Sequence, residues 1–451
     1  MRCNASEVNR VVRALVLAAG EGRRMDNQPP KQLCQVGGLS LLERVLSCLR
    51  DAGIEEVHMV LGYEAELIQE WIGKSYAGLS IQYIYAEQWP SGNLHSFLAA
   101  QDFSNQDFIL CMSDHIFEPE IVRKLRIVNL KGTVSLAVDR VQQSPDDTLV
   151  LERNGEILDI GKRAVQWNCV DTGFFRCTSR IFEYAVAAAE AGGTELAECM
   201  KLAAAAGEAH ILDVSGHYWV DVDVEEDVKR AKRILAHQTQ KGRGASDLIA
   251  HYINRPIENA LVYHLSDTRI SPNMATLASN ILAYLAAAAF LFGFLLWGSL
   301  LTFVVGVVDG IDGKLARMRR QTTRLGKLEH AFDLLFEFTW LLALAVYLST
   351  FWGPLPILLT AVSITLMAFY RMVYDLFGRI TGVSLDNYGS FEQRFRRVAG
   401  RRNLYNVHIL VGVLLGIPLL SLFTITLHAC VTAGVYVLRA GMHLHAADRS
   451  T

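Results

Sequence analysis

Long apolar runs in the second part of this chain place the strongest limit on its fold. From about residue 274 onward these runs contain almost no charge, whereas the sequence up to about residue 240 is mixed and charged. A helix needs about 20 consecutive, mostly apolar residues to cross a bilayer. The sequence therefore predicts an all-α transmembrane domain of six spans, at residues 275–296, 298–317, 329–350, 354–375, 405–424 and 426–442.

Basic residues between the predicted spans are confined to one side. The loops after the second and fourth spans are rich in Lys and Arg, whereas the turns near Trp297, Trp352 and Thr426 carry neither. Because cytoplasmic loops carry the excess of basic residues, we expect a multi-pass protein of the cytoplasmic membrane with its N-terminal domain in the cytoplasm. The lipid bilayer is thus an expected partner. The net charge of −3 offers no broad basic surface, so no nucleic-acid partner is expected.

The first part of the chain alternates short apolar segments with helical ones. An amphipathic helix is predicted at residues 41–52, and buried strands are predicted at residues 14–19, 57–62, 108–112 and 134–138. This alternation is typical of an α/β doubly wound fold with a mainly parallel sheet. In such sheets ligands bind at the carboxyl ends of the strands.

A polar, Gly-containing stretch separates the two parts. We expect a soluble domain at residues 1–235, a linker at 236–250 and a membrane domain at 251–451. An amphipathic stretch at residues 247–267 runs from the end of the linker into the membrane domain, and its pattern suits a helix lying on the membrane surface.

A Gly-rich turn follows the first predicted strand. Backbone N–H groups in such a turn close on phosphates because no Cβ obstructs them. Arg24 and Lys31 add fixed positive charge for a triphosphate. The Gly pattern taken alone could instead form an ordinary tight turn that binds no phosphate. The expected nucleotide-binding residues of this turn are Leu17, Ala18, Ala19, Gly20 and Gly22.

The whole string LVLAAGEGRRM, followed by PKQL at 30–33, resembles the nucleotidyltransferases that make nucleotide-activated sugars and alcohols. Further matching segments follow in the family's order, and the resemblance covers about residues 11–235. It implies base and ribose contacts at Gly92, Asn93 and Ser96. It also implies an acceptor-side contact at Lys162, close to the segment Asp-Thr-Gly at 171–173.

The same resemblance implies a metal site and a reaction. Asp114 and Asp221, with Asp223 as a helper, would hold Mg²⁺ (or Mn²⁺), which favours oxygen ligands. A phosphate oxygen of a phosphorylated alcohol would attack the α-phosphorus of CTP, and pyrophosphate would leave. Arg24 and Lys31 would act catalytically by stabilising the charge of the transition state. The structural alternatives are an N-cap at Asp114, before a helix at 116–125, and surface positions for the other two carboxylates.

Acidic residues also lie at the ends of two predicted membrane spans, where they are costly and usually functional. Asp309 and Asp312 are three residues apart and share a helix face. Glu329, Asp333 and Glu337 follow at intervals of four and share a face of the next span. Two helices that present paired carboxylates to each other predict a divalent-cation site.

These residues resemble the motif DxxDGxxAR, eight residues, GxxxDxxxD of the CDP-alcohol phosphotransferases. Asp309 and Asp312 match, and Gly313, Ala316 and Arg317 are the implied nucleotide-binding residues. The second portion of this sequence differs from the family motif, because His330 and Leu334 stand where the motif has Asp. Our hypothesis is a slip of one residue, in which Glu329 and Asp333 complete the metal site.

The resemblance also implies the second reaction. A hydroxyl would attack the β-phosphorus of a CDP-alcohol, CMP would leave, and Asp333 would take the hydroxyl proton. Arg397, Arg401 and Arg402 lie where the family binds a phosphorylated acceptor, with attraction to lipid headgroups as the alternative. A homodimer is implied by the membrane family.

The order of the two parts looks like the bifunctional inositol-1-phosphate cytidylyltransferase/di-inositol-phosphate phosphate synthase family. The first half would make a CDP-alcohol and the second would consume it. Three alternatives remain at this stage: a nucleotidyltransferase on an inactive membrane anchor, a CDP-alcohol phosphatidyltransferase that makes a phospholipid, and a transporter. The transporter predicts an internal repeat in the spans, and the sequence shows no such repeat.

Overall fold

The structure, a computed structural model, describes residues 11–22, 24–25, 30–103, 106–141, 147–239, 246–321 and 329–449. For Glu329 and His330 it describes the backbone alone. The chain divides into two compact units, Met1–Lys232 and Arg233–Thr451.

The first unit is built on a large sheet whose strands come from most of its length. Ten strands form this sheet in the order β10-β11-β13-β9-β12-β7-β1-β4-β6-β5, and two further pairs are β14-β8 and β2-β3. The strands are β1 (Arg13–Ala18), β2 (Gln35–Val36), β3 (Leu39–Ser40), β4 (Glu56–Leu61), β5 (Ser75–Tyr76), β6 (Leu79–Tyr85), β7 (Phe108–Met112), β8 (His115–Phe117), β9 (Val134–Asp139), β10 (Leu149–Arg153), β11 (Glu156–Gly161), β12 (Cys169–Cys177), β13 (Ala209–Asp213) and β14 (Trp219–Asp221).

Helices cover both faces of the sheet. Successive residues of β1 enter opposite cores: Leu15 and Leu17 belong to one buried cluster, and Val16 and Ala18 to the other. A strand buried on both faces reads as a continuous apolar run, which is why β1 was predictable from sequence. The helices are α1 (Leu41–Asp51), α2 (Ala65–Ile72), α3 (Asn93–Leu98), α4 (Pro119–Ile127), α5 (Ile181–Glu190), α6 (Leu196–Ala205) and α7 (Glu225–Gln238).

The sheet is mixed, so the prediction of a mainly parallel sheet is only half right. β7, β1, β4 and β6 are parallel to one another, whereas β12 is antiparallel to both β7 and β9. β10 and β11 form a hairpin whose turn holds Asn154 and Gly155 at positive φ. Asn-Gly is a strong hairpin signal, and it marks the point at which the parallel rhythm ends.

The second unit is helical. After a π-helical turn at Ala250–Asn254, its helices are α8 (Arg255–Leu265), α9 (Pro272–Leu291), α10 (Leu295–Met318), α11 (Glu329–Trp352), α12 (Leu355–Thr381), α13 (Ser390–Phe395), α14 (Arg402–Leu414) and α15 (Pro418–Asp448). Among the described residues, five helices are long and apolar enough to cross a membrane: Pro272–Leu291, Leu295–Met318, Ala331–Trp352, Leu355–Thr381 and Pro418–Asp448.

Two helix boundaries differ from the predicted spans. The first turn lies at Gly293, which adopts φ +82°, rather than at Trp297. The predicted fifth span, 405–424, runs across a break between α14 and α15. Gly416 adopts φ +73° there and Pro418 opens the next helix. Glycine tolerates the left-handed conformation and proline fits a first helical turn, so this pair favours the end of one helix and the start of another.

Candidate active sites

The Gly-rich turn after β1 is held by a buried glutamine. Gln32 Nε2 donates to Ala18 O at 3.0 Å and to Gly20 O at 2.7 Å. Gly22 adopts φ +68°, and a Cβ added there would lie 2.5 Å from Lys31 Cβ. Only glycine fits this position, and the turn opens onto a cavity of about 370 Å³. That cavity is lined by Leu17, Ala19, Gly20, Gly22, Lys31, Asn93 and Ser96, among others.

Lys31 lies at the centre of a charge cluster. Its Nζ donates to Asp114 Oδ2 at 2.7 Å and to Asp223 Oδ1 at 2.6 Å. Arg24 Nη1 donates to Asp223 Oδ2 at 2.7 Å. Burial acts to lower the pKa of Lys31, but Asp114, Asp221 and Asp223 outweigh it and hold that pKa well above its usual value. Both predicted cations therefore contact the predicted acidic residues, and Lys31 remains charged at neutral pH.

Asp114, His115 and Asp221 form a cluster that suits a metal ion, with one ligand atom from each lying within 4.8 Å of the others. His115 Nδ1 lies 2.8 Å from Asp114 Oδ1 and 3.9 Å from Asp221 Oδ1. Asp221 Oδ1 is buried and has no hydrogen-bond partner among the described residues. Burial and the neighbouring Asp114 raise the pKa of Asp221 to about 6. An unpartnered buried carboxylate oxygen beside a second carboxylate fits a divalent cation.

The strand pair β8–β14 brings this cluster together. Asp221 is the register partner of His115, and Val222 N donates to Asp114 O at 3.2 Å. A Cβ added at Gly173, where φ is +78°, would lie 2.7 Å from His115 Nε2. The glycine of the predicted acceptor-side segment therefore makes room for the imidazole. Burial lowers the pKa of His115, but the two carboxylates outweigh it and raise that pKa to about 9.

A second cavity of about 450 Å³ lies beside the cluster. Lys162 and Asp171 line it, as do Gly92 and Asn93. Burial raises the pKa of Asp171 to about 7, although its Oδ1 accepts from Gly173 N at 2.7 Å. Asn93 Oδ1 accepts from the backbone N–H at the start of α6, at 2.7 Å. The Asn93 oxygen thus also fixes α6 against the cavity.

His115 was not among the predicted metal ligands. His115 directly follows Asp114 at the strand end, and that adjacency was the available signal. Asp114 is not an N-cap, because α4 begins at Pro119 and its N-cap is Glu118.

In the second unit, Arg402 joins two of the predicted metal ligands. Its Nη2 donates to Asp309 Oδ2 at 2.6 Å and its Nη1 donates to Asp333 Oδ1 at 2.9 Å. Asp309 belongs to α10, Asp333 to α11, and Arg402 opens α14. Asp333 therefore faces Asp309, as the slipped register requires. Glu329, the other residue of that register, has its side chain outside the described part of the chain.

The other residues of the motif are held by neighbouring elements. Asp312 Oδ2 accepts from Thr276 Oγ1 at 2.5 Å. Lys314 Nζ lies 2.9 Å from Glu258 Oε2 of α8. A Cβ added at Gly310 would lie 2.4 Å from Glu258 Oε1, so this glycine allows α8 to approach α10. Glu258 was not predicted as a site residue, because the motif gives no signal outside its own two helices.

The predicted nucleotide-binding residues of the motif lie on the last turns of α10. Gly313 lies beside Arg317: a Cβ added at the glycine would be 3.0 Å from Arg317 Nη1. Arg317 Nε donates to Thr239 O. Ala316 is half-buried.

The three arginines predicted to bind the acceptor phosphate have different neighbours. Only Arg402 contacts the motif carboxylates among the described contacts of the three. Arg401 Nη1 lies 3.6 Å from Asp247 Oδ2, and the backbone O of Arg397 accepts from Leu248 N at 3.3 Å. The structure thus brings two of them to the start of the unit rather than to the motif.

Glu337 lies one turn beyond Asp333 and is 1% exposed. Its Oε2 accepts from Arg371 Nη2. Its Oε1 has no hydrogen-bond partner among the described residues. The interval of four residues along α11 was the sequence signal for this acid.

Two family models match the chain. The MobA-like NTP transferase domain matches residues 14–158, and the CDP-alcohol phosphatidyltransferase matches residues 269–385. The molecule is therefore an enzyme with a nucleotidyltransferase domain followed by a helical CDP-alcohol phosphotransferase domain, as the motifs predicted. Enzymes of these two classes generally use divalent metals.

A relative from Aquifex aeolicus, named bifunctional IPC transferase and DIPP synthase, is 30% identical over 416 residues, covering 89% of this chain and 92% of the relative. A relative of the same name from Rubrobacter xylanophilus is 34% identical over 324 residues, covering 70% of this chain and 72% of that one. The chain belongs to this family of bifunctional enzymes, which confirms the family predicted from the motifs. The solved inositol-1-phosphate CTP transferase from T. maritima aligns with a TM-score of 0.44 at 22% identity, over 48% of this chain and 91% of that one.

Proposed function

We propose that the N-terminal domain transfers a cytidylyl group from CTP to inositol-1-phosphate and releases pyrophosphate. The C-terminal domain then transfers the phospho-alcohol from the CDP-alcohol to an acceptor hydroxyl and releases CMP. The observation that carries the first step is the position of Lys31 and Asp114 beside the Gly-rich turn. The inositol assignment rests on the names of the relatives from Aquifex aeolicus and Rubrobacter xylanophilus.

In the first reaction the two cavities receive the two substrates. CTP occupies the cavity at the Gly-rich turn, where Lys31 stabilises the leaving pyrophosphate. Arg24 lines the neighbouring cavity and adds its positive charge from there. The phosphorylated alcohol occupies the cavity lined by Lys162 and Asp171. An oxygen of its phosphate bonds to the α-phosphorus as the bond to pyrophosphate breaks. That oxygen is already ionised, so no protein base is needed.

Asp114 and Asp221 would hold a divalent cation, Mg²⁺ or Mn²⁺, with His115 beside them and Asp223 orienting Lys31 and Arg24. When bound, this ion offsets the negative charge gathered at the reacting phosphates. The position of Asp223 between two cations supports a role in orienting them more than a role as a direct ligand.

In the second reaction the motif carboxylates would hold a metal ion and accept a proton. Asp309, Asp312, Glu329 and Asp333 would hold a divalent cation beside the diphosphate. Asp333 would take the proton as the acceptor oxygen bonds to the β-phosphorus and CMP leaves. Its place opposite Asp309, on a different helix, supports this assignment.

We further propose six crossings, with α14 as the short fifth and the first half of α15 as the sixth. Two contacts support an antiparallel hairpin: Ser421 Oγ donates to Ile409 O at 3.4 Å, and Gly400 N donates to Thr432 Oγ1 at 2.8 Å. At 1.5 Å per residue the 13 residues of α14 span about 20 Å. The basic loops support a cytoplasmic N-terminal domain. A homodimer in the bilayer completes the proposal.

The test incubates the full chain with CTP, Mg²⁺ and a panel of phospho-alcohols, and follows pyrophosphate. Release with inositol-1-phosphate is expected, and no release with any member of the panel contradicts the first half of the proposal. A separate incubation with CDP-inositol and inositol-1-phosphate follows CMP. The Asp221→Asn variant is expected to lose pyrophosphate release and retain CMP release. Absence of CMP from the unmodified chain would identify the membrane domain as an anchor.

A further inference from the structure

Arg402 lies between two carboxylates, Asp309 and Asp333, that the slipped register assigns to a metal. Its two Nη atoms lie 2.6 Å from Asp309 Oδ2 and 2.9 Å from Asp333 Oδ1. The side chains of Arg402, Asp309 and Asp333 are 15%, 10% and 21% exposed. A guanidinium that donates one N–H group to each of two carboxylates uses the same oxygen lone pairs that a bridging cation would use.

We propose that Arg402 is a resident counter-cation that a divalent ion must displace from Asp309 and Asp333. The displaced guanidinium then binds the phosphate of the acceptor, so that metal loading and phosphate binding favour each other. This inference rests on the proposed function of the membrane domain, because it takes Asp309 and Asp333 as metal ligands.

Charge explains why the two cations exclude each other. A guanidinium and a divalent ion between the same two carboxylates would repel each other at short range in a region of low dielectric constant. A guanidinium moved away from its carboxylates needs another anion, since a buried unpaired charge is costly. A bidentate phosphate is the anion that the geometry of arginine fits best.

Arg401 offers a matched control. It is the neighbouring residue with the same charge, but its Nη1 lies 3.6 Å from Asp247 Oδ2 and makes no described contact with the motif carboxylates. Removing its charge therefore reproduces the general electrostatic change without freeing Asp309 or Asp333.

The first experiment measures Mn²⁺ binding by the full chain in detergent. All variants carry Asp114→Asn and Asp221→Asn, so that the N-terminal site does not contribute. Arg402→Gln is expected to bind Mn²⁺ about tenfold more tightly than this background, and Arg401→Gln within about twofold of it. Arg402→Lys keeps the charge but has no fork to bridge two carboxylates, and an intermediate affinity is expected.

An unchanged or weaker affinity in Arg402→Gln overturns the proposal. If Arg402→Gln folds only in the presence of Mn²⁺, the thermal transition with and without Mn²⁺ becomes the readout. Recovery of a cooperative transition with Mn²⁺ supports the exchange, and no recovery contradicts it.

The second experiment titrates inositol-1-phosphate into the same background with saturating Mn²⁺ and with a chelator. The affinity is expected to be higher with Mn²⁺, and Arg402→Gln is expected to lose this gain. A gain retained in Arg402→Gln means that the metal contacts the phosphate directly, and the linkage is wrong. If the background variant binds no Mn²⁺ and the unmodified chain releases no CMP, the proposed function of the membrane domain is contradicted, and not the exchange at Arg402 alone.

Discussion

Lys31 Nζ lies 2.7 Å from Asp114 Oδ2, so the phosphate-binding turn and the predicted metal ligand share one ion pair. Lys31 is 8% exposed, which separates this pair from the surface ion pairs that contribute little to stability. Nucleotide binding and the metal site are therefore built around the same ammonium group.

The Lys31→Met variant tests this shared role. Loss of the cation removes charge stabilisation from the transition state, and we expect kcat/KM for pyrophosphate release to fall by about 10²-fold or more. The variant also leaves Asp114 and Asp223 without this partner, which costs about 3 kcal/mol of stability. CMP release from CDP-inositol serves as the internal control and is expected to stay within the range of the unmodified chain. A parallel loss of both activities would point to general misfolding.

Gly22→Ala is expected to raise the KM for CTP, because the new Cβ would lie 2.5 Å from Lys31 Cβ and φ is +68°. The measurement is the dependence of pyrophosphate release on CTP concentration. Gly78→Ala is the matched control, since its φ is +95° but no atom lies within 4 Å of the added Cβ. It should lose about 1 kcal/mol of stability and keep its KM. Equal KM values in the two variants would contradict a steric role for Gly22.

Asp171→Asn is expected to make the N-terminal domain more stable at pH 8. The pKa of Asp171 is about 7 in the folded chain, above the usual value near 3.8 in the unfolded chain. The unfolded chain therefore loses its proton first, and this group's contribution to stability falls as pH rises from about 4 to 7. Asparagine keeps the acceptor for Gly173 N and removes the titration, which gains on the order of 2 kcal/mol at pH 8.

The measurement is the denaturant midpoint of the full chain in detergent at pH 4.5 and at pH 8. The gain is expected to be much larger at pH 8 than at pH 4.5, because the loss of stability caused by this carboxyl accumulates as pH rises from about 4 to 7. A gain of equal size at both pH values would attribute the effect to packing.

Glu337→Gln is expected to lower CMP release and leave pyrophosphate release unchanged. The change removes the charge opposite Arg371 in a buried pair, and breaking such a pair costs about 3–5 kcal/mol. The double variant Glu337→Leu with Arg371→Met is expected to be more stable than Glu337→Gln, because it leaves no unpaired charge. A cycle of Glu337→Leu, Arg371→Met and their double variant measures the coupling, and additive effects would show that the two side chains do not interact.

Compact motifs allowed part of both sites to be predicted from sequence. Gly20 and Gly22 stand within one short turn after a strand, and Asp309 and Asp312 stand within one helical turn, so local spacing carries the information. His115 and Glu258 were missed because their roles depend on contacts between segments far apart in the chain. Local sequence patterns do not report such contacts.

The fold shows the same division between local and distant information. The apolar runs predicted the strands of the parallel part and the presence of the membrane helices. The antiparallel strands beyond β7 depend on pairing between distant segments, which strand patterns alone do not fix. The break at Gly416 and Pro418 was visible in the sequence, but hydropathy averaged over a long window does not register a single turn.

The two cavities of the N-terminal domain share a ridge formed by Gly92, Asn93, Met112 and Asp114. In the proposed reaction each substrate binds in its own cavity, on one side of this ridge. The CDP-alcohol product, in contrast, lies across the ridge as one covalent molecule. Both of its ends must therefore detach before it leaves. In the proposed function the membrane domain consumes this product, which would draw the first reaction forward.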